Sequence, residues 1–211
     1  MMTRFSHQDI SEMAYLYKIN LINSCSGFKS ANLIGTKSAD GLENVAIFSS
    51  VTHFGSNPPL LGVFMRPTTV TRDTYDNIKE TGFYTLNHVH EAIISEAHHT
   101  SAKYDKHISE FDMTMLQSEY KNDINVPFVS SAPVQMHMEF VEEYYIKAND
   151  TILLIGKIND LFINADLLEG DGFVNLSKGR VATINGLDGY AIPELKTRLD
   201  YQRPKTQIKT P

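Results

Sequence analysis

Two long extended runs constrain this chain most: "PVQMHMEFVEEYYI" from Pro133 and "TILLIGKINDLFI" from Thr151. Both are rich in β-branched and aromatic residues, which suit a pleated surface. Only "KAND" lies between them, so they read as a neighbouring antiparallel pair. A second pair precedes them. "SANLIGTKS" and "ENVAIFSSVTHF" are joined by a turn at Asp40 and Gly41, the pattern of a β-hairpin. "PLLGVFMRP" (59–67) and "FYTLNHV" (83–89) are two further apolar extended runs. Antiparallel strands with short helices inserted between them predict a mainly β fold, a closed or nearly closed β-barrel with helical caps, over an alternating parallel sheet.

The helical segments are short. Ser6 or Asp9 can cap one whose apolar positions Ile10, Met13, Ala14 and Tyr17 follow the spacing of one buried face, which predicts a covering helix at the N-terminus. "TRDTYDNIKETG" has room for a helix ending at Gly82, and "EAIISEAHH" is a second helical pattern. The stretch from Thr100 to about Asn125 is polar and irregular, and "GRVATINGLDGYAIP" reads as an irregular loop broken by glycines. With 211 residues the chain is divided into one domain over 1–195 and a polar C-terminal tail over 196–211.

Composition narrows the function classes. Nineteen Lys and Arg against twenty-five Asp and Glu give a formal charge of −6, the wrong sign for neutralising a nucleic acid backbone. No segment approaches the roughly 18 apolar residues of a membrane span, and the N-terminus lacks the apolar core of a signal peptide. The lone Cys25 excludes an internal disulfide and multi-cysteine zinc sites, so the expected location is the cytoplasm.

Two places can carry chemistry. In "NVAIFSSVTHFGSNPP", Val45 and Ile47 face one side and Ala46 and Phe48 the other, so the strand is apolar on both faces. Ser49, Ser50 and Thr52 lie where it runs out, and Gly55, Pro58 and Pro59 stop it. Buried hydroxyls require partners, either their own backbone or a ligand. Downstream, Asp73 is the expected N-cap of a helix beginning near Thr74, with Tyr75 and Ile78 toward the core. Thr71, Arg72 and Thr74 surround that start with hydroxyls and a guanidinium, an anion pocket sized for one phosphate; the alternative is a capped helix with an exposed arginine. A flat polar ring at the strand end and a phosphate at the helix start together describe a mononucleotide such as FMN. No Gly-rich dinucleotide fingerprint or P-loop is present.

The segments "GTKSADGLENVAIFSS", "NPPLLGVFMRP", "TRDTYDNIKETGFYTLNHV" and "SAKYDKHISEFD" resemble, in order and spacing, the flavin reductase-like FMN-binding split-barrel family, which includes flavoredoxin-like members. The resemblance runs from about Ala31 to Tyr190. It implies a six-stranded Greek-key split barrel, a homodimer with FMN near the subunit interface, and hydride transfer from NADH or NADPH to flavin. Carried over by position, Ala46, Phe48, Ser49, Ser50 and Thr52 would line the ring and ribityl chain. Arg72, Asp73 and Thr74 would meet the phosphate, with Arg66 and Thr71 as further contacts. Asn185, Gly186 and Tyr190 in "TINGLDGYA" would touch flavin or the partner subunit. No side chain is required as a catalytic acid or base, and His53 is a further candidate contact.

Two other functions fit the same sequence. One is an FMN carrier, store or sensor that passes electrons to an acceptor protein without turning over nicotinamide nucleotide. The other is a metal site drawn from His88, His90, His98 and His99, although adjacent helical residues such as His98 and His99 diverge by about 100° and cannot readily share one ion.

Overall fold

The computed structural model describes residues 1–67, 69–70 and 72–204. Its strands are β1 (Lys29–Ser30), β2 (Asn32–Lys37), β3 (Glu43–Phe48), β4 (Val51–Ser56), β5 (Pro59–Met65), β6 (Phe83–His88), β7 (Ser118–Glu119), β8 (Phe128–Val129), β9 (Val134–Ile146), β10 (Thr151–Ile163), β11 (Thr183–Asn185) and β12 (Gly189–Ala191). The helices are α1 (His7–Glu12), α2 (Tyr15–Cys25), α3 (Asp73–Thr81) and α4 (Ile94–His99).

Seven strands pair in the order β3-β2-β6-β9-β10-β5-β4, every ladder antiparallel. The two outermost strands, β3 and β4, are consecutive in the chain with only Ser49 and Ser50 between them. The sheet must therefore curl until its edges meet, which makes a barrel with an open seam. Seven strands stand where six were expected, because the two serines divide one long strand in two as it passes from pairing with β2 to pairing with β5.

Strand β2 shows how the barrel is held. Leu33 and Ile34 are fully buried on opposite faces, Leu33 in an outer core and Ile34 in the barrel interior. Burial of each side chain is worth roughly 1.5–3 kcal/mol. The interior is filled by Val63, Met65, Tyr84, Leu86, Met138 and Leu154, and Ile78 of α3 packs onto it. Tyr84 fits because β10 offers Gly156, beside a register shift; a Cβ at Gly156 would collide with the Tyr84 hydroxyl. The outer core gathers Val45, Val89, Ala97, Phe111, Val129 and Ile184 beneath α4 and the 100–130 segment.

Two expectations fail locally. The glycine-rich segment after Arg180 is ordered: β11 and β12 form a hairpin that pairs with β1. Gly186 at φ +68° makes its turn, and the buried Ile184 pins it to the outer core. The N-terminal covering helix is two helices, α1 with a Ser6–Asp9 capping box and then α2, and neither has a buried residue. The tail is tied down at Arg198, which pairs with Glu169 and Asp171 and sits 4.1 Å from the centre of the Phe173 ring. Among the described residues no helix is long and apolar enough to cross a membrane.

Candidate functional site

The seam collects the hydroxyls singled out from the sequence. Strand β3 reaches it apolar on both faces, with Val45 and Ile47 in the outer core and Phe48 against the barrel core. Ala46 stands opposite Ile34 in the ladder and Phe48 opposite Asn32. Ser50 then crosses the gap, its Oγ donating to the Phe64 carbonyl at 2.8 Å while the Phe64 N–H donates to the Ser50 carbonyl at 3.4 Å. Ser49, Ser50 and Thr52 line a cavity of about 560 Å³ together with Phe64, Phe28 from the α2–β1 connection and Lys29 at the start of β1.

At the other end of β3 sits the start of α3. The helix begins one residue earlier than expected: Arg72 is its N-cap, in extended conformation, and Asp73 is its first residue rather than its cap. Tertiary bonds fix that start. Asn77 Nδ2 donates to Thr36 Oγ1 at 3.1 Å, and Thr74 Oγ1 lies 3.1 Å from the Asn44 amide. The Asn44 amide is oriented by its neighbours, its oxygen accepting from Thr74 Oγ1 and its nitrogen donating to Glu110 Oε2 at 3.3 Å. Glu110 Oε2 also accepts the Val45 N–H at 3.1 Å. Burial, with the Asp73 charge adding, pushes the Glu110 carboxyl above the usual carboxylate range.

Released from capping, Asp73 leaves its Oδ1 buried without a hydrogen-bond partner among the described residues, and the neighbouring Arg72 Nε is buried and unpartnered among them too. Buried orphans of this kind are rare and need an account. A phosphate oxygen would satisfy the Arg72 donor, which the first N–H groups of α3 flank. The carboxylate oxygen accepts only, so a hydroxyl or N–H of the same ligand would satisfy it. Along β3, from Asn44 to Ser49, five residues span about 17 Å, a length that an extended mononucleotide bridges.

The edge of β3 supplies donors between these ends. The Val45 N–H points away from β2 to Glu110, and ladder alternation turns the Ile47 N–H toward the same open edge. FMN therefore fits the residues present: a cation and helix start for phosphate, acceptors for ribityl hydroxyls, and main-chain and serine donors beside the ring.

The remaining sequence candidates are placed as follows. Arg66 is exposed just beyond β5, and Thr71 lies outside the described residues. Tyr190 is on β12 beside the outer core, its hydroxyl 3.1 Å from His98 Nδ1, and does not line the seam cavity. Asn185 Oδ1 is buried without a partner, and Gly186 lies against Ser24 at the end of α2. His53 is exposed and meets Ser56 Oγ at 3.3 Å. His99 meets the Tyr104 hydroxyl at 2.6 Å, and burial pulls the His88 pKa down to about 4. Among the described residues no three His, Cys, Asp or Glu side chains come together as a metal site. Sequence reasoning missed Asn44 and Glu110. A polar residue inside an apolar strand marked the first, and no local pattern marked the second.

Comparison with known proteins agrees with the split-barrel fold. The family described as "Flavin reductase like domain" matches residues 26–182. A split-barrel-domain protein of Shewanella frigidimarina NCIMB 400, assigned to the flavin reductases, is 41% identical, with a TM-score of 0.92 covering 95% of this chain and 100% of that one. The 2-nitrobenzoate 2-nitroreductase NbaA of Pseudomonas fluorescens is 20% identical, with a TM-score of 0.81 covering 98% and 100% of the two chains. An FMN-binding protein of Thermus thermophilus is 16% identical, with a TM-score of 0.71 covering 84% and 93%. The last two likenesses concern the fold.

Proposed function

The chain belongs to the flavin reductase like domain family, and from that premise we propose that it binds FMN along β3 as an oxidoreductase that receives hydride from NADH or NADPH. The observation that carries this reading is the pair of buried, unpartnered atoms at the helix start, Arg72 Nε and Asp73 Oδ1, in line with the hydroxyl-lined seam. FMN, when bound, supplies the acceptor for hydride. The chain's residues do the rest. Arg72 and the first turn of α3 hold the phosphate, Asp73 takes a ribityl hydroxyl, and the Ser49 hydroxyl and the β3 edge donate to the ring where negative charge collects, while Ser50, its hydroxyl proton held by the Phe64 carbonyl, fixes the seam beside it. Phe64 and Phe28 at the cavity wall restrict water around the reacting face.

The working form in this proposal is a homodimer in the cytoplasm. What supports dimerisation is α2, an eleven-residue helix with no buried residue that exposes 75% of Tyr15 and 73% of Leu16. A helix this short is marginal in water without a packing partner. It adjoins the seam cavity through Asn23, so a second copy over α2 would also close the flavin site. The visible spectrum of the purified protein, with FMN added and then NADH or NADPH under anaerobic conditions, tests the proposal. The expected result is tight flavin binding and bleaching of its visible band by one of the two nucleotides. Binding without bleaching would make the protein a carrier, and a folded sample that refuses FMN would end the flavin reading.

A further inference from the structure

A second cavity, of about 620 Å³, opens on the outer face of the barrel between the β2–β3 turn, the 122–126 loop and strands β6, β9 and β10. That volume lies within the range of small-molecule sites. Its floor is His137 and Asp160, the end of a cross-strand row that runs Gly35, Thr85, His137, Asp160 and whose first two members lie buried under Pro127. Its wall is fixed. Gly35, with no side chain, lets Pro127 settle onto the sheet, where its carbonyl accepts Thr85 Oγ1 at 2.7 Å. Lys37 Nζ donates to Asn125 Oδ1 at 3.0 Å and lies 4.9 Å from the centre of the Tyr120 ring.

Two features of this cavity are built rather than incidental. His137 Nδ1 is 2.8 Å from Asp160 Oδ2, so the carboxylate accepts a hydrogen bond from Nδ1–H, and in that tautomer Nε2 is the acceptor of the ring. Among the described residues Nε2 has no hydrogen-bond partner. Phe83 stacks on the same imidazole with centroids 5.5 Å apart and planes at 28°, yet remains 40% exposed and offers a flat apolar surface. The site thus holds a ring face, an oriented acceptor and, from β2 two strands away and two residues beyond the row of His137, the Lys37 ammonium.

Charge decides between ligand classes. Asp123 and Asp160 line the cavity, Glu139 flanks His137 and is paired with Lys157 at 2.9 Å, and Glu80 binds the Ala39 N–H at the rim. Lys37 is the one cation among the lining residues, so an anionic ligand would meet more repulsion than attraction. We propose that this cavity is a second binding site, separate from the flavin cradle, for a small neutral hydroxylated aromatic: its ring lies on Phe83, its hydroxyl donates to His137 Nε2, and a carbonyl at its far end accepts from Lys37. The site does not depend on flavin being the ligand of the seam.

Calorimetric titration of the whole protein, with FMN in excess to occupy the seam, tests this with a matched pair of probes, 4-hydroxybenzamide and benzamide. The hydroxylated probe is expected to bind at least tenfold more tightly, and His137→Gln is expected to erase that preference while leaving FMN affinity unchanged. Phe83→Ala should weaken both probes alike. Equal binding of the two probes, a preference that survives His137→Gln, or no binding of either would overturn the proposal. Should His137→Gln fail to fold, the imidazole ¹⁵N spectrum of the wild-type protein gives the answer. The His137 Nε2 signal must move with 4-hydroxybenzamide and stay with benzamide, and an unmoved signal refutes the site.

Discussion

Replacing Arg72 by alanine separates a ligand-binding role from a structural one, because the two predict opposite signs in the unliganded protein. Arg72 Nε is buried without a partner among the described residues, and an unsatisfied buried donor costs about 1–3 kcal/mol. Truncation removes that penalty together with some packing, so the FMN-free protein should keep its stability or gain a fraction of that amount. FMN binding should move the other way. A charge-assisted hydrogen bond to phosphate is worth roughly 1.5–3 kcal/mol, so the dissociation constant should rise about 10- to 150-fold. Arg72→Lys keeps the charge and loses the planar fork, and should fall between. Urea denaturation of FMN-free protein, paired with fluorescence titration of FMN, reads both quantities on one sample. A variant that binds FMN normally and is destabilised without it would show that Arg72 serves the fold, and the phosphate assignment would fail.

Three further outcomes follow from the packing. Gly156→Ala drives a methyl into the Tyr84 hydroxyl inside the barrel and should destabilise by about 1–3 kcal/mol, read as a lower urea midpoint; an unchanged midpoint would mean that β10 yields there. His88 is held neutral by burial with a pKa of about 4 against an ordinary 6.5. The unfolded chain therefore binds the proton first, and stability should fall by up to about 3 kcal/mol as pH drops from 6.5 to 4. His88→Gln should flatten that limb of the stability profile, and an unchanged limb would assign it to other groups. Leu16→Asp on the exposed face of α2 should leave the fold intact and shift sedimentation from dimer to monomer, whereas an unaltered dimer would place the interface elsewhere.

What the sequence made legible was local. Asp40-Gly41 marked the β2–β3 hairpin and Gly82, at φ +79°, marked the end of α3, because each signals a backbone conformation few other residues adopt. The end of β3 was legible only in part. Ser49 and Ser50 stood out as polar residues after an apolar run, but that run was read as one strand stopped by Gly55, Pro58 and Pro59. The chain instead changes partners at the two serines, and β4 continues through Gly55 to Ser56. The start of α3 was displaced by one residue, because bonds from Thr74 and Asn77 to β2 and β3 outweigh the capping preference of Asp73. Asn185-Gly186 carried a hairpin signal, yet strands of three residues are too short to show alternation, and β11–β12 was read as loop. Glu110 was invisible. It reaches Val45 from 65 residues away out of a stretch with no periodicity.

The placement of the site follows from the same geometry that closes the barrel. A sheet edge carries unpaired N–H and C=O groups, and an apolar edge such as β3 is a liability unless something occupies it. Here Glu110 takes the Val45 N–H and Ser50 bonds across to Phe64, which blunts the edge at two points. The Ile47 N–H between them still faces the opening, flanked by the orphaned Arg72 and Asp73 at one end and the serine-lined cavity at the other. Full closure of the barrel would have satisfied that edge with another strand and left no donors to present. The split is therefore the feature that makes binding there possible, and an elongated ligand with acceptors along one side is the kind of molecule that completes it.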